Sequence, residues 1–377
     1  MTKEQRILAL QIFLFVITLI TTTLSGIEWI YGKVFFMNAQ GLGWPDWIAP
    51  DMVIEGLKFS TAFIGILTVH ELGHYFTAKY YKVDVTLPYY IPMWFGFGST
   101  IGTLGAFIRI KQAINSRKEY FDIGLAGPLA GFILALIVLF YGFTHLPPAE
   151  YVLTIHPEYQ KYGLEYAQYV YQGMEGQFYI GKNLLFLFFE NYVGDPKLVP
   201  NQYEMMHYPF LFAGYLACFF TALNLLPIGQ LDGGHILYGL IGNPAHKIVS
   251  LALFIGFIFY AGLGIVTPTK VQDLLDTNVL LYVLFLYFAF AKVGGSFQNA
   301  LLIAMGILVG QFTVSYFFPN IHGYNGWMLF GLVLGRFLGI YHPTATSDEP
   351  LSLGRKVLGW VMLLVFILCF SPEPFVF

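Results

Sequence analysis

Two histidines four residues apart, with a glutamate directly after the first, form His70-Glu71-Leu72-Gly73-His74 at the end of an apolar run from Phe59 to Val69. On a helix, positions i and i+4 lie one turn apart on one face, so both imidazoles can offer a nitrogen to the same Zn2+. Glu71 then sits within reach of a water on that metal, where a carboxylate suits a catalytic general base. The plainer reading is a helix in which two polar residues form the pattern by accident. It gives no reason for ionisable groups to lie in a membrane-grade segment, where they are costly and usually functional. His70 and His74 are therefore read as metal ligands and Glu71 as the catalytic residue.

The chain that must position these groups has 377 residues, 57% of them hydrophobic and only 11% charged. That balance excludes an ordinary soluble globular domain. A net charge of -3, without a long basic run, offers no handle for nucleic acid. Cys218 and Cys369 both fall in apolar segments and make neither a disulfide framework nor a CxxC metal site. Segments apolar enough to cross a bilayer as helices lie near 7–25, 56–80, 122–145, 206–227, 247–266, 277–292, 296–317, 325–341 and 356–371. The expected fold is an all-α polytopic membrane protein of about nine transmembrane helices. The first segment follows Lys3 and Arg6 without a small-residue cleavage site, and is read as a span rather than a signal peptide. With the N-terminus in the cytoplasm, thirteen Lys and Arg fall on the cytoplasmic side and six, Lys270 among them, on the other. This orientation suits a bacterial inner membrane and sets His70 and His74 toward the cytoplasmic end of the second span.

Between the second and third spans, Asp84 to Pro92 reads as extended, with prolines that suit an edge. A glycine-rich turn follows at Phe95-Gly96-Phe97-Gly98, and Thr103 to Ile110 is β-branched enough for a second strand. The expectation is a short hairpin dipping toward the membrane beside the metal, with an ordinary cytoplasmic loop as the alternative. Irregular backbone at that depth is tolerated only against protein or a wet cavity. Its edge would hold an unwound peptide as an added strand, which makes Thr103 and Gly105 candidate substrate contacts. At the head of the third span, Gly127 and Gly131 make a GxxxG step extended by Gly124 and Ala130. The metal helix or some other helix is its partner. The sixty or so residues from Leu146 to Met205 read as an aromatic interfacial cap, too short and too poorly patterned for a PDZ-like domain.

A catalytic zinc needs a third protein ligand and one open position. Cytoplasmic-side acids beyond His74 are few: Asp84, Glu119, Asp122, Asp232, Asp348 and Glu349, whereas Asp273 and Asp276 fall on the wrong side. Asp232 has an unusual setting. Pro227 breaks the fourth span at the level of His74, and Gly233 and Gly234 let the backbone turn tightly after the carboxylate. His235, next in line, is a possible fourth ligand, but a closed fourth position would block catalysis, which favours a supporting imidazole.

Taken together, His70-Glu71-Leu72-Gly73-His74, the Gly127-Pro128 step, Asn224-Leu225-Leu226-Pro227 and Leu231-Asp232-Gly233-Gly234 resemble the site-2 protease family of intramembrane zinc metalloproteases, in its members that lack a PDZ domain. The resemblance covers about residues 56–245, with the motifs in the family's order. It implies that His70, His74 and Asp232 bind zinc and that Glu71 is the acid/base. It also implies that Asn224 helps hold the substrate backbone and that the stretch near Thr100 to Ile110 is re-entrant. Gly131 departs from the pattern, standing where many members have Asn.

The expected function is therefore endoproteolysis of transmembrane segments in other membrane proteins, within the bilayer. The expected organisation is a first helix and outer loop (1–55), a catalytic core (56–245) and a C-terminal bundle of about five spans (246–377) without an assigned task. A metal-binding transporter would carry repeats with paired half-helices, and no repeat is found. A non-catalytic scaffold of the same family has no need of the intact set of His70, Glu71, His74 and Asp232. A CAAX-type zincin wants a downstream helical Glu, and Glu119 and Glu349 lie in a charged turn and a loop.

Overall fold

The computed structural model describes residues 2–38, 41–98, 100–172, 178–268 and 277–376. Lys270, Asp273 and Asp276 lie outside the described residues. The molecule is mostly helical, and each of the nine apolar segments contains a helix. Five of them, Lys3–Tyr31, Pro50–Tyr80, Arg117–Thr144, Asn243–Ala261 and Phe297–Phe317, are long and apolar enough to cross a membrane. Pro209–Leu225 and Trp327–Leu338 are shorter apolar helices.

The chain divides into two compact units. One comprises residues 1–114, 125–224 and 364–377, the other 115–124 and 225–363. In the first unit, helix α1 (Lys3–Tyr31) begins with a capping box in which Thr2 and Gln5 satisfy each other's backbone donors. It packs on α2 (Pro50–Tyr80) through small residues: the Thr23 and Ser60 hydroxyls meet at 2.7 Å. A Cβ on Gly56 would come within 2.7 Å of the Thr23 carbonyl oxygen. Helices in lipid associate by such close backbone approach, because apolar burial offers no net drive there. Pro50 begins α2, where its missing N–H costs nothing.

A two-stranded hairpin follows α2. Tyr89–Met93 pairs antiparallel with Gly102–Phe107, with a register shift between Tyr90 and Pro92 that leaves Leu104 and Gly105 as a bulge. It is held between α1 and α2. The Gln11 amide donates to the Leu87 carbonyl at 2.7 Å, the Thr21 hydroxyl to the Gly102 carbonyl at 2.7 Å, and the Trp29 indole to the Thr100 carbonyl at 2.8 Å. On the other side, the Thr68 and Tyr90 hydroxyls meet at 2.8 Å, two residues before His70. Polar side chains on α1 thus satisfy the hairpin carbonyls that pairing leaves open.

Helix α3 (Arg117–Thr144) opens on a Ser116 cap: Glu119 N donates to the Ser116 hydroxyl at 3.1 Å, and the Glu119 carboxylate accepts from Asn115 N at 3.1 Å. Pro128 lies inside α3 and leaves the Gly124 carbonyl without its helical donor. In the second unit, Asp122 takes the Arg355 guanidinium as a two-pronged pair at 2.8 Å from both Nε and Nη2. The segment 146–208, in the first unit, folds as short helical pieces, Tyr151–Ile155, Pro157–Glu165, Tyr166–Val170 and Leu184–Tyr192, braced by stacked tyrosines.

Candidate metal centre

His70, Glu71 and His74 lie in the last third of α2 and are buried, 6%, 8% and 7% exposed. Helical spacing does what it must: the His70 and His74 Nε2 atoms approach to 3.0 Å with their rings at 74°. Two nitrogens each about 2.0–2.1 Å from one zinc at the tetrahedral angle stand about 3.3–3.4 Å apart, so this pair needs only a slight opening to share an ion. The Asn224 amide, at the end of α4 (Pro209–Leu225), stands 3.5 Å from His70 Nε2, so Asn224 is brought to the imidazole pair.

Helix α3 turns its small residues to these imidazoles. A Cβ on Gly127 would lie 2.1 Å from His74 Nε2, and one on Gly131 would lie 3.0 Å from His70 Cβ. From the opposite side, a Cβ on Gly73 would strike the Ala126 carbonyl oxygen at 2.5 Å. The partner of the GxxxG step is therefore the metal helix. Gly131 touches the ring-bearing side of His70, so a larger side chain in its place would crowd that imidazole.

Asp232 is the first residue of α5 (Asp232–Ile241). Pro227 follows the end of α4, and the chain reverses through Gly229, whose φ of +62° favours glycine. The glycines after Asp232 are required by close approach: a Cβ on Gly233 would lie 1.9 Å from the Leu225 carbonyl oxygen, and one on Gly234 2.3 Å from that of Gly229. The turn is anchored from further along the chain. Gly229 N donates to the Ser250 hydroxyl at 3.0 Å, and Ser250 donates to the Ile340 carbonyl at 2.6 Å. His342 Nδ1 donates to the Pro343 carbonyl at 2.6 Å, which leaves its Nε2 to accept from His235 Nδ1, also at 2.6 Å. Burial pushes the His342 pKa down to about 3, in keeping with a neutral, accepting imidazole. Tyr120 stacks on the His235 ring, and Gly124 leaves room for its Cβ.

Ser250 and His342 carry no motif that would mark them in the sequence, yet they hold the Asp232 turn. Gly229→Ala is expected to lower stability by at least about 2 kcal/mol, since it adds left-handed strain and a contact of 2.1 Å with the Gly339 carbonyl oxygen. Thermal unfolding of the detergent-solubilised chain checks this, and an unchanged transition would count against the turn as described.

His70 and His74 in the first unit and Asp232 in the second each offer one ligand atom, a donor set that could hold a metal ion. Two imidazoles and one carboxylate suit zinc with one position left open. His235 is not in that group. Thr103 and Gly105 lie on the hairpin, where the Thr103 hydroxyl donates to the Ile91 carbonyl at 2.9 Å and accepts from Gly105 N at 2.9 Å. Gly105 has a φ of +107° and nothing within 4 Å of the place a Cβ would take. Both residues thus shape the bulge, with open space beside Gly105.

Residues 58–263 match the model of Peptidase family M50, and the chain belongs to that family. It is similar to the probable zinc metalloprotease EGY1, chloroplastic, of Arabidopsis thaliana, with 29% identity over 212 residues, 55% of this chain and 34% of the relative. The probable zinc metalloprotease EGY2, chloroplastic, of Oryza sativa subsp. indica is 27% identical over 205 residues, 54% of this chain and 33% of the relative. The chain thus spans about a third of the length of these curated relatives. No solved structure matches it.

Proposed function

We propose that the protein is a multi-pass membrane zinc endopeptidase that cuts transmembrane segments of other membrane proteins. The observation that carries this reading is the group His70, His74 and Asp232, with Glu71 beside the first imidazole, in a chain of Peptidase family M50. The two similar plant proteins are named as probable zinc metalloproteases. The nine apolar helices cross the bilayer with the N-terminus in the cytoplasm, in a bacterial inner membrane. Residues 56–245 make the catalytic core, and the stretch 246–377 braces the Asp232 turn through Ser250, Ile340 and His342.

The chemistry assigns a task to each side chain. His70, His74 and Asp232 would hold the zinc, and Gly127 and Gly131 let α3 fix the imidazoles in place. Bound zinc supplies Lewis acidity toward the scissile carbonyl and lowers the pKa of the attacking water. Glu71 accepts the proton of that water and delivers it to the leaving amine. Asn224, at the imidazole pair, offers its amide to the substrate backbone. A peptide bond inside a helix is shielded, so the substrate unwinds locally. The re-entrant hairpin takes it as an added strand at the bulge, where Thr103 orients Gly105 and the open space admits the extended chain.

Reconstitution into proteoliposomes with single-span membrane proteins tests the reading: cleavage is expected, abolished by a zinc chelator and restored by zinc. Asp232→Ala is expected to lose at least about tenfold in zinc affinity and all measurable cleavage, since it removes one of three protein ligands. Undiminished zinc content in that variant, counted by plasma mass spectrometry, would remove Asp232 from the site.

A further inference from the structure

A second donor cluster lies in the first unit, in and beside the segment 146–208. His156 Nε2 and His207 Nε2 are 3.2 Å apart, and the Glu204 carboxylate oxygen Oε2 lies 3.6 Å from the former and 3.3 Å from the latter. Glu204 is fully buried, His207 nearly so, and the His156 side chain is 22% exposed. The point equidistant from the three atoms lies about 2 Å from each, which matches zinc bonds of about 2.0–2.2 Å to imidazole nitrogen and carboxylate oxygen.

The surroundings determine where the imidazole protons sit. His207 Nδ1 faces the Ile30 carbonyl at 2.6 Å, and His156 Nδ1 faces the Glu158 carboxylate at 3.2 Å. A carbonyl and a carboxylate only accept, so each Nδ1 carries the hydrogen and each Nε2 presents a lone pair. Imidazoles that bind metal are oriented in this way by an acceptor on the far nitrogen. Glu204 Oε1 accepts from the Tyr171 hydroxyl, whereas Oε2, aimed at the two nitrogens, has no hydrogen-bond donor. Three lone-pair donors thus converge in a buried place. One proton would bridge two of the three atoms and leave the third unsatisfied.

We propose that His156, Glu204 and His207 bind a second divalent cation of the zinc class, separate from the ion of the HExxH helix. The exposed side of His156 leaves a position for water. Because His207 is also tied to the Ile30 carbonyl near the end of α1, the ion would clamp the 146–208 segment to that helix. The proposal does not rest on the protease reading.

Zinc is counted by plasma mass spectrometry on the full chain in detergent, after stripping with chelator and dialysis against zinc. Two ions per chain are expected in the unaltered protein and one in His70→Ala/His74→Ala, in which the cluster is untouched. Adding His156→Gln and Glu204→Gln to that variant is expected to bring the count to zero. Cobalt in place of zinc in His70→Ala/His74→Ala is expected to give the strong visible absorption of a four-coordinate site. No zinc and no such absorption in His70→Ala/His74→Ala would overturn the second site, as would one ion surviving His156→Gln/Glu204→Gln in that background. One ion in the unaltered chain and one in His70→Ala/His74→Ala would instead strike at the HExxH site and leave this one standing.

Discussion

Glu71→Gln is expected to keep its zinc and lose cleavage by a factor on the order of 10³, the range of a missing general base. The amide has the shape of the carboxylate and preserves the packing of a residue that is only 8% exposed. It cannot accept the proton of the attacking water, nor return one to the leaving amine. The imidazole pair and Asp232 are unchanged, so the metal count should stay at the level of the unaltered chain. The measurement is the initial rate of cleavage of a reconstituted single-span protein beside zinc content in the same preparation. Cleavage within a few fold of the unaltered rate would dismiss Glu71 as the acid/base. Loss of zinc along with activity would make it a structural support for the ligands instead.

Gly127→Ala is expected to be nearly as damaging, and for a reason of a different kind. The added methyl would stand 2.1 Å from Nε2, 2.4 Å from Cδ2 and 2.5 Å from Cε1 of His74, so the ring must leave its place. A ring driven off its position no longer shares an ion with His70, and zinc affinity should fall at least about tenfold, with cleavage lost in step. Gly131→Ala is milder, because its methyl would meet His70 Cβ at 3.0 Å and Nδ1 at 3.3 Å and needs only a small adjustment. Gly65→Ala, on α2 with nothing within 4 Å, is the control, expected to match the unaltered chain in zinc and cleavage. The order Gly65, Gly131, Gly127 in rising severity is checked by zinc titration of the three variants. Equal zinc affinity in all three would show that α3 does not constrain the imidazoles.

What could be read in the residues alone was whatever depends on local geometry. The helix that carries His70 and His74 follows from its apolar run, and the 3.0 Å approach of the two Nε2 atoms follows from four-residue spacing on a helix. The helix locations follow from long apolar segments, and the hairpin from two extended stretches around a glycine-rich turn. Asp232 was legible as a carboxylate followed by paired glycines, because only a tight backbone needs such a pair.

Tertiary structure alone decided which surfaces meet. GxxxG names a face ready for close approach but not the helix that approaches; only folding sets Gly127 against His74 and Gly124 against His235. Thr103 reads as a candidate substrate contact, and only the fold shows its hydroxyl joined to the Ile91 carbonyl and the Gly105 N–H. Ser250 and His342 look like ordinary polar residues until the turn at Gly229 and the ring of His235 come to rest on them. His156 and His207, fifty-one positions apart, share no helical register, so no spacing rule could pair them with Glu204. Periodicity acts over a few residues and leaves its mark on the order of the letters. Packing joins residues far apart along the chain, and that information lies in the whole arrangement of helices rather than in any one stretch.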